Sequence, residues 1–137
     1  MTSKSERILD RIETVLAGTS GVSGRVFRDR WEALSRGEMP ALAIYPESES
    51  DDVEATCGVT SDLFVRVDVL ISGAPLSTLA DPVRVSAHAL LMAEPFTGLQ
   101  VIHCYPDGRR WDAESGEIGI LSCRYRVAYR TTLASIE

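Results

Sequence analysis

Two segments of this chain alternate apolar and polar residues too strictly, and for too long, to read as anything but strands. Between Asp62 and Ser72, the residues Leu63, Val65, Val67, Val69 and Ile71 take every second position. Between Ile118 and Thr131, Leu121, Cys123, Tyr125, Val127 and Tyr129 do the same. Successive strand side chains point to opposite faces, so each segment lays one apolar row on one side of a sheet. The opposite rows are mixed: Phe64, Arg66, Asp68 and Leu70 in the first, Ser122, Arg124, Arg126 and Arg130 in the second. Such a face predicts partial cover, of the kind a second subunit gives.

The cover for the apolar rows is predicted from two helical patterns. Ile8, Ile12, Val15 and Leu16, with Leu9 beside them, make one stripe over residues 5–17. Ser3 and Glu6 have capping-box spacing, and Gly18 is a plausible stop. Leu79, Val83, Ala87, Leu90 and Leu91 make a second stripe that runs to about Ala93. Its start is ambiguous. Ser77 is one possible cap, but Pro82 then costs a backbone bond early in the helix. Asp81 as cap with Pro82 in the first helical position is the chemically cleaner choice.

The remaining extended segments are shorter. Val26 to Arg30 is a short strand anchored by Phe27, and residues 31–37 form a loop. In EMPALAIYP, from Glu38 to Pro46, Ala41 to Tyr45 is a strand that Pro46 ends. Residues 47–61 then form an acid-rich connection, a solvated hairpin arm. Leu99 to Tyr105 is a strand, and 106–117 a second polar arm. The expected order is α-β-β-β-α-β-β in a single domain over residues 1–137. The fold class is α+β: a mostly antiparallel β-sheet with two α-helices packed on it and polar β-hairpin arms.

Composition narrows the chemistry. At 137 residues, 45% hydrophobic and 25% charged, the chain suits one folded domain. Residues 1–100 carry 9 basic and 15 acidic groups, and residues 101–137 carry 5 and 5, so no phosphate-gripping basic face is evident. No apolar run approaches a membrane span, and the N-terminus lacks a signal-peptide pattern. Cys57, Cys104 and Cys123 are an odd set without a C-x-x-C, which disfavours a disulfide framework or a cysteine-rich zinc site. The acidic run from Glu47 to Glu54 lacks the EF-hand spacing. The hydrolase, zinc-protease and P-loop signatures are missing. GTSGVSG follows a helix and reads as a turn. His103 and Cys104 are strand neighbours and point apart, and His88 reads as a surface or satisfied histidine. The expectation is no catalytic residue, no metal site and no cofactor.

Interaction candidates remain. Arg109, Arg110 and Trp111, at the tip of the second arm, are residue types enriched in interface hot spots. Arg28, Arg30 and Trp31 form a weaker set, and Arg124 and Arg126 stand on the mixed face of the last strand.

Three stretches in this order, EMPALAIYP, LFVRVDVLISG and YPDGRRWDAESGEIGILSCRYRVAYRT, resemble the tail terminator family of long-tailed bacteriophages. The resemblance covers nearly the whole chain. Pro82 in the second helix and Pro46 directly after Tyr45 depart from the family's pattern. The resemblance implies a non-enzymatic virion assembly protein that forms a hexameric ring. That ring caps the tail tube, stops its growth and offers a surface to neck or head-completion proteins. Its implied partners are copies of itself, the tail tube protein and the neck protein, with no membrane. Its implied place is the tail–head junction of the virion, after assembly in the host cytoplasm. DNA passes through such a ring unread, and an acidic chain is compatible with a lumen that does not hold phosphate. Tyr45, Arg109 and Arg110 are the positions matched to the family. The other readings are a neck or tail-completion protein and a small non-viral ligand-binding or regulatory module.

Overall fold

The computed structural model describes residues 2–29, 36–114 and 118–136. Its elements are α1 (Lys4–Leu16), β1 (Val26–Arg28), a 3₁₀ turn at Arg36–Glu38, β2 (Ala41–Val53), β3 (Gly58–Ser72), α2 (Leu76–Ala93), β4 (Val101–Glu114) and β5 (Ile118–Thr132). The strands form one sheet in the order β1-β2-β3-β5-β4. Only β1 pairs in parallel; β2, β3, β5 and β4 pair antiparallel. The α+β class and the expected element order are both as the sequence predicts.

The central pair follows the alternation. β3 and β5 pair without interruption from Gly58 opposite Thr132 to Ser72 opposite Ile118. Their apolar rows lie buried against both helices, together with Leu42 and Ile44 of β2, in one core. α1 contributes Ile8, Leu9, Ile12 and Leu16 to it, and α2 contributes Leu76, Ala80, Val83, Ala87 and Leu91. The other sheet face carries no helix among the described residues.

The capping box at α1 is half made. The Ser3 hydroxyl accepts from the Glu6 backbone N–H at 3.3 Å, while the Glu6 side chain turns to Arg28. Lys4, the only lysine, is buried. Its Nζ donates to Gln100 Oε1 at 2.6 Å and to the Arg130 carbonyl at 2.8 Å, which ties α1 to the turn before β4 and to β5.

Four expectations are corrected. Pro46 does not end its strand: β2 continues to Val53, with a bulge between Pro46 and Ser48. β1 reaches β2 only as far as Ile44, so the missing proline N–H faces an edge where no described strand needs it. The long connection at 47–61 therefore shrinks to a tight turn, and its flanks pair as β2 and β3 through Val53 opposite Val59. The second arm is likewise strand. β4 runs through Pro106 to Glu114, with bulges between Val101 and His103 and between Pro106 and Arg109.

The fourth correction is at α2, which starts at Leu76 rather than at Pro82 behind an Asp81 cap; Ser77, the alternative cap, lies in its first turn, and Pro82 is interior. An interior proline costs roughly 3 kcal/mol. What offsets it is the burial of Leu76 and Ala80 in the turns before the proline. Leu76 packs on Gly119 of β5 so closely that a Cβ there would stand 2.7 Å from its Cδ1. The buried stripe is consequently Leu76, Ala80, Val83, Ala87 and Leu91, while Leu79 is exposed and Leu90 half-buried.

Candidate interaction surfaces

The helix-free sheet face is built by register. Tyr45 stands opposite Arg66, and Arg66 opposite Arg124. One rung along, Phe64 stands opposite Arg126 and Arg126 opposite Tyr105. Guanidinium groups thus lie over neighbouring rings: Arg66 at 4.5 Å from the Tyr45 ring centre, Arg124 at 4.3 Å from Phe64 and Arg126 at 5.4 Å from Tyr105. Carboxylates hold the same arginines. Arg124 reaches Glu47 at 3.0 Å and Asp107 at 3.2 Å, and Arg126 donates to Asp62 at 2.9 Å. The contacts of Arg66 with Tyr45 and of Arg124 with Phe64 are each worth about 0.5–1 kcal/mol. Their larger consequence is that long, flexible side chains are held flat against the sheet.

A concavity of about 450 Å³ on this face is lined by Glu47, Arg66, Asp68, Arg110, Ser122 and Arg124, among others. Asp68 lies at its floor, 6% exposed. Burial pushes its carboxyl above the usual aspartate range, opposed by Ser122 and Arg66 beside it. Arg66 Nε is 3.1 Å from Asp68 Oδ1 but not aligned for a hydrogen bond.

Arg109, Arg110 and Trp111 are not at an arm's tip. They lie within β4, an outer strand of the sheet, opposite Cys123, Ser122 and Leu121 of β5. The alternation sends them to different faces: Arg110 to the concavity, Arg109 and Trp111 toward α2. Trp111 is 48% exposed, with the Arg84 guanidinium 5.9 Å from its ring centre. Between α2 and β4 runs a second groove of about 450 Å³, whose lining includes Arg84, Val85, His88, Ala89, Arg109 and Tyr125. His88 Nδ1 lies 2.9 Å from the Tyr125 hydroxyl, so this histidine is satisfied within the chain. Burial pushes the Tyr125 phenol well above its ordinary value.

The remaining candidates have other surroundings. Arg28 sits on β1 with its guanidinium paired to Glu6 and Asp10 of α1 and 3.8 Å from Glu13, so within this chain it staples β1 to the helix. Arg30 and Trp31 lie outside the described residues. His103 is exposed against the Tyr105 ring, while Cys104 packs against the core with its thiol pushed up to about 11 by burial. No metal-holding group of His, Cys, Asp and Glu occurs among the described residues. None of the described helices is long and apolar enough to cross a membrane.

Sequence reasoning identified Arg124 and Arg126 but missed their partners Phe64, Tyr105, Glu47, Asp62 and Asp107. It also missed Arg84 and Asp68. Alternation alone places Arg66, Asp68, Arg124 and Arg126 on one face, so that much was findable. Which aromatic ring each guanidinium covers depends on strand register: uninterrupted between β3 and β5 for Arg124 over Phe64, and that of the outer strands β2 and β4 for Tyr45 and Tyr105.

No family model matches the chain, and no curated protein matches it in sequence. Among solved structures, a chain from the virion of a native gene transfer agent particle is similar in fold, with a TM-score of 0.63. The match spans 88% of this chain and 92% of that one at 12% identity.

Proposed function

We propose that this chain is a structural subunit of a phage-like virion, and specifically a tail terminator. In this reading its copies form a ring, hexameric by the family resemblance. The ring caps the tail tube, stops its polymerisation and gives the neck proteins their docking surface. No reaction is catalysed, and DNA passes through the ring unread.

The observation that carries the reading is the fold shared with a gene transfer agent virion chain along nearly the whole of both molecules. Two features of the chain support it. The ordered set EMPALAIYP, LFVRVDVLISG and YPDGRRW resembles the terminator family. One sheet face and one outer strand display pre-ordered arginines and aromatics, the residue types that interfaces favour. On that basis Arg109, Arg110 and Trp111 contact a neighbouring copy or the tube, and Arg124 and Arg126 belong to a subunit-facing surface.

The test is tube length. Co-expressed with the tail tube protein of its own virion, the chain is expected to give capped tubes of defined length by electron microscopy. The triple variant Arg109→Ala, Arg110→Ala, Trp111→Ala should give overlong or ragged tubes. Wild-type capping by that variant would remove these three residues from the interface. Tubes unaffected by the wild-type chain would remove the terminator role and favour a neck or tail-completion subunit.

A further inference from the structure

We infer that the groove between α2 and β4 receives the end of the β2–β3 hairpin of a second copy, with Val53 and Asp52 as the inserted residues. The inference rests on the ring reading above and specifies its contact.

The groove is apolar with a cationic rim. Pro82, Val85, Ala89 and Met92 recur at i, i+3, i+7 and i+10 on α2, and all four are exposed. A solvent-facing helix side is normally polar, so this helix is apolar on its outer side as well as its inner one. Val85 and Ala89 line the groove, and Trp111 stands half-exposed beside Arg84. Among the lining residues Arg84 and Arg109 face a single carboxylate, Asp81, while Arg124, which also borders the groove, has its guanidinium paired to Glu47 and Asp107 on the other sheet face.

The hairpin end has the complementary chemistry. Val53 is 57% exposed and is flanked by Asp51, Asp52 and Glu54. No lysine or arginine occurs between Glu47 and Ser61. Asp51 accepts from Ser61, and Glu54 accepts from Thr60 at 2.7 Å and from Arg130 at 2.6 Å. These bonds brace the hairpin. The Asp52 side chain is exposed and makes no ion pair or hydrogen bond among the described residues, so it and Val53, with the exposed turn residues Ala55, Thr56 and Cys57 beyond them, are among the outward groups of this end.

Topology makes the match useful. β2 and β4 lie toward opposite sides of the sheet, with β3 and β5 between them. One copy therefore offers the hairpin on one side and the groove on the other. That is a head-to-tail contact, the type that generates a ring when the rotation between copies closes.

The test is a charge swap in the full chain. One variant carries Arg84→Glu and Arg109→Glu, the other Asp52→Arg. Assembly is read by light scattering and native mass spectrometry, alone and on tail tubes. Each variant, while melting as the wild type does, is expected to need about tenfold or more protein to assemble, since like charges across an interface suppress docking. An equimolar mixture should recover wild-type assembly, because each altered surface then meets its complement. Variants that assemble like wild type, or a mixture that fails to recover, overturn the groove–hairpin contact and leave the ring reading standing. A wild-type chain that neither self-associates nor caps tubes overturns both.

Discussion

Glycine in a strand interior is normally a weakness, and replacing it with alanine normally helps. Gly119→Ala is expected to do the opposite. Built at Gly119, a Cβ meets Leu76 Cδ1 at 2.7 Å and both Cδ2 and Cγ at 3.0 Å. Cγ is not a free end: moving it requires Leu76, 8% exposed in the first turn of α2, to leave its seat. Overpacking of this kind costs about 1–3 kcal/mol. Reduced freedom of the unfolded chain returns about 0.4–1 kcal/mol. The net expectation is a loss of about 1–2 kcal/mol, a fall of about 3–6 °C in Tm for a domain of this size. The assay is urea unfolding at a protein concentration where the chain is monomeric, with a lower midpoint at unchanged slope. Leu76→Ala alone should cost about 2–5 kcal/mol by cavity formation. Combined with Gly119→Ala it should cost less than the sum, because the new methyl then enters the space Leu76 vacates. A Gly119→Ala protein as stable as wild type, or more so, refutes the claim that this contact seats the start of α2.

Three further outcomes follow from single groups. Asp68 has a raised carboxyl pKa through burial, so the folded state favours its proton, and the stability this gives is lost as pH rises above the ordinary value of 3.8. Asp68→Asn should therefore match or exceed wild-type Tm at pH 7, with the gap closing on acidification; lower stability at pH 7 would show that the Arg66 pair dominates instead. Lys4→Met leaves Gln100 Oε1 and the Arg130 carbonyl without their donor. It should cost about 1–3 kcal/mol, read as a lower Tm and faster exchange of the α1 amides. In the native protein a disulfide reagent should quickly modify only the exposed Cys57, with Cys104 and Cys123 held back by burial, and all three should react after denaturation.

How much was legible in the sequence depended on whether local signals agreed with tertiary ones. The apolar rows of β3 and β5 needed only a period of two, and the structure buries every residue of both. α1 was legible because its stripe and its Ser3 cap coincide. The failures occurred at prolines. Pro46 and Pro106 read as terminators because a proline interrupts a ladder, yet each sits at a bulge where the strand tolerates it. Pro82 read as a helix start because that position is cheapest, yet burial of Leu76 and Ala80 outweighs the lost bond. For the surfaces, residue types at 109–111 were readable, but their division between two sheet faces follows from strand pairing across β5. Arg84 and the outer apolar stripe of α2 were hidden because the inner stripe absorbed the helical period.

The same prolines bear on how copies would join in the ring proposed above. The stretch of β2 beyond Ile44 and the whole of β4 are long strand segments with no outer neighbour among the described residues. Open segments of that length invite other chains to continue the sheet by backbone pairing. Here each is interrupted by a proline and a bulge, at Pro46 and Ser48 on one and at Pro106 and Arg109 on the other, with a second bulge near Val101 on β4. A proline removes one donor, and a bulge throws the remaining donors and acceptors out of step with a straight partner strand. Sheet continuation between copies is therefore disfavoured on both sides. In the ring proposed above, an assembly of defined size would have to be specified by side chains, and the exposed groups near these two edges include Val53 and Asp52 on one and Arg109 and Trp111 on the other.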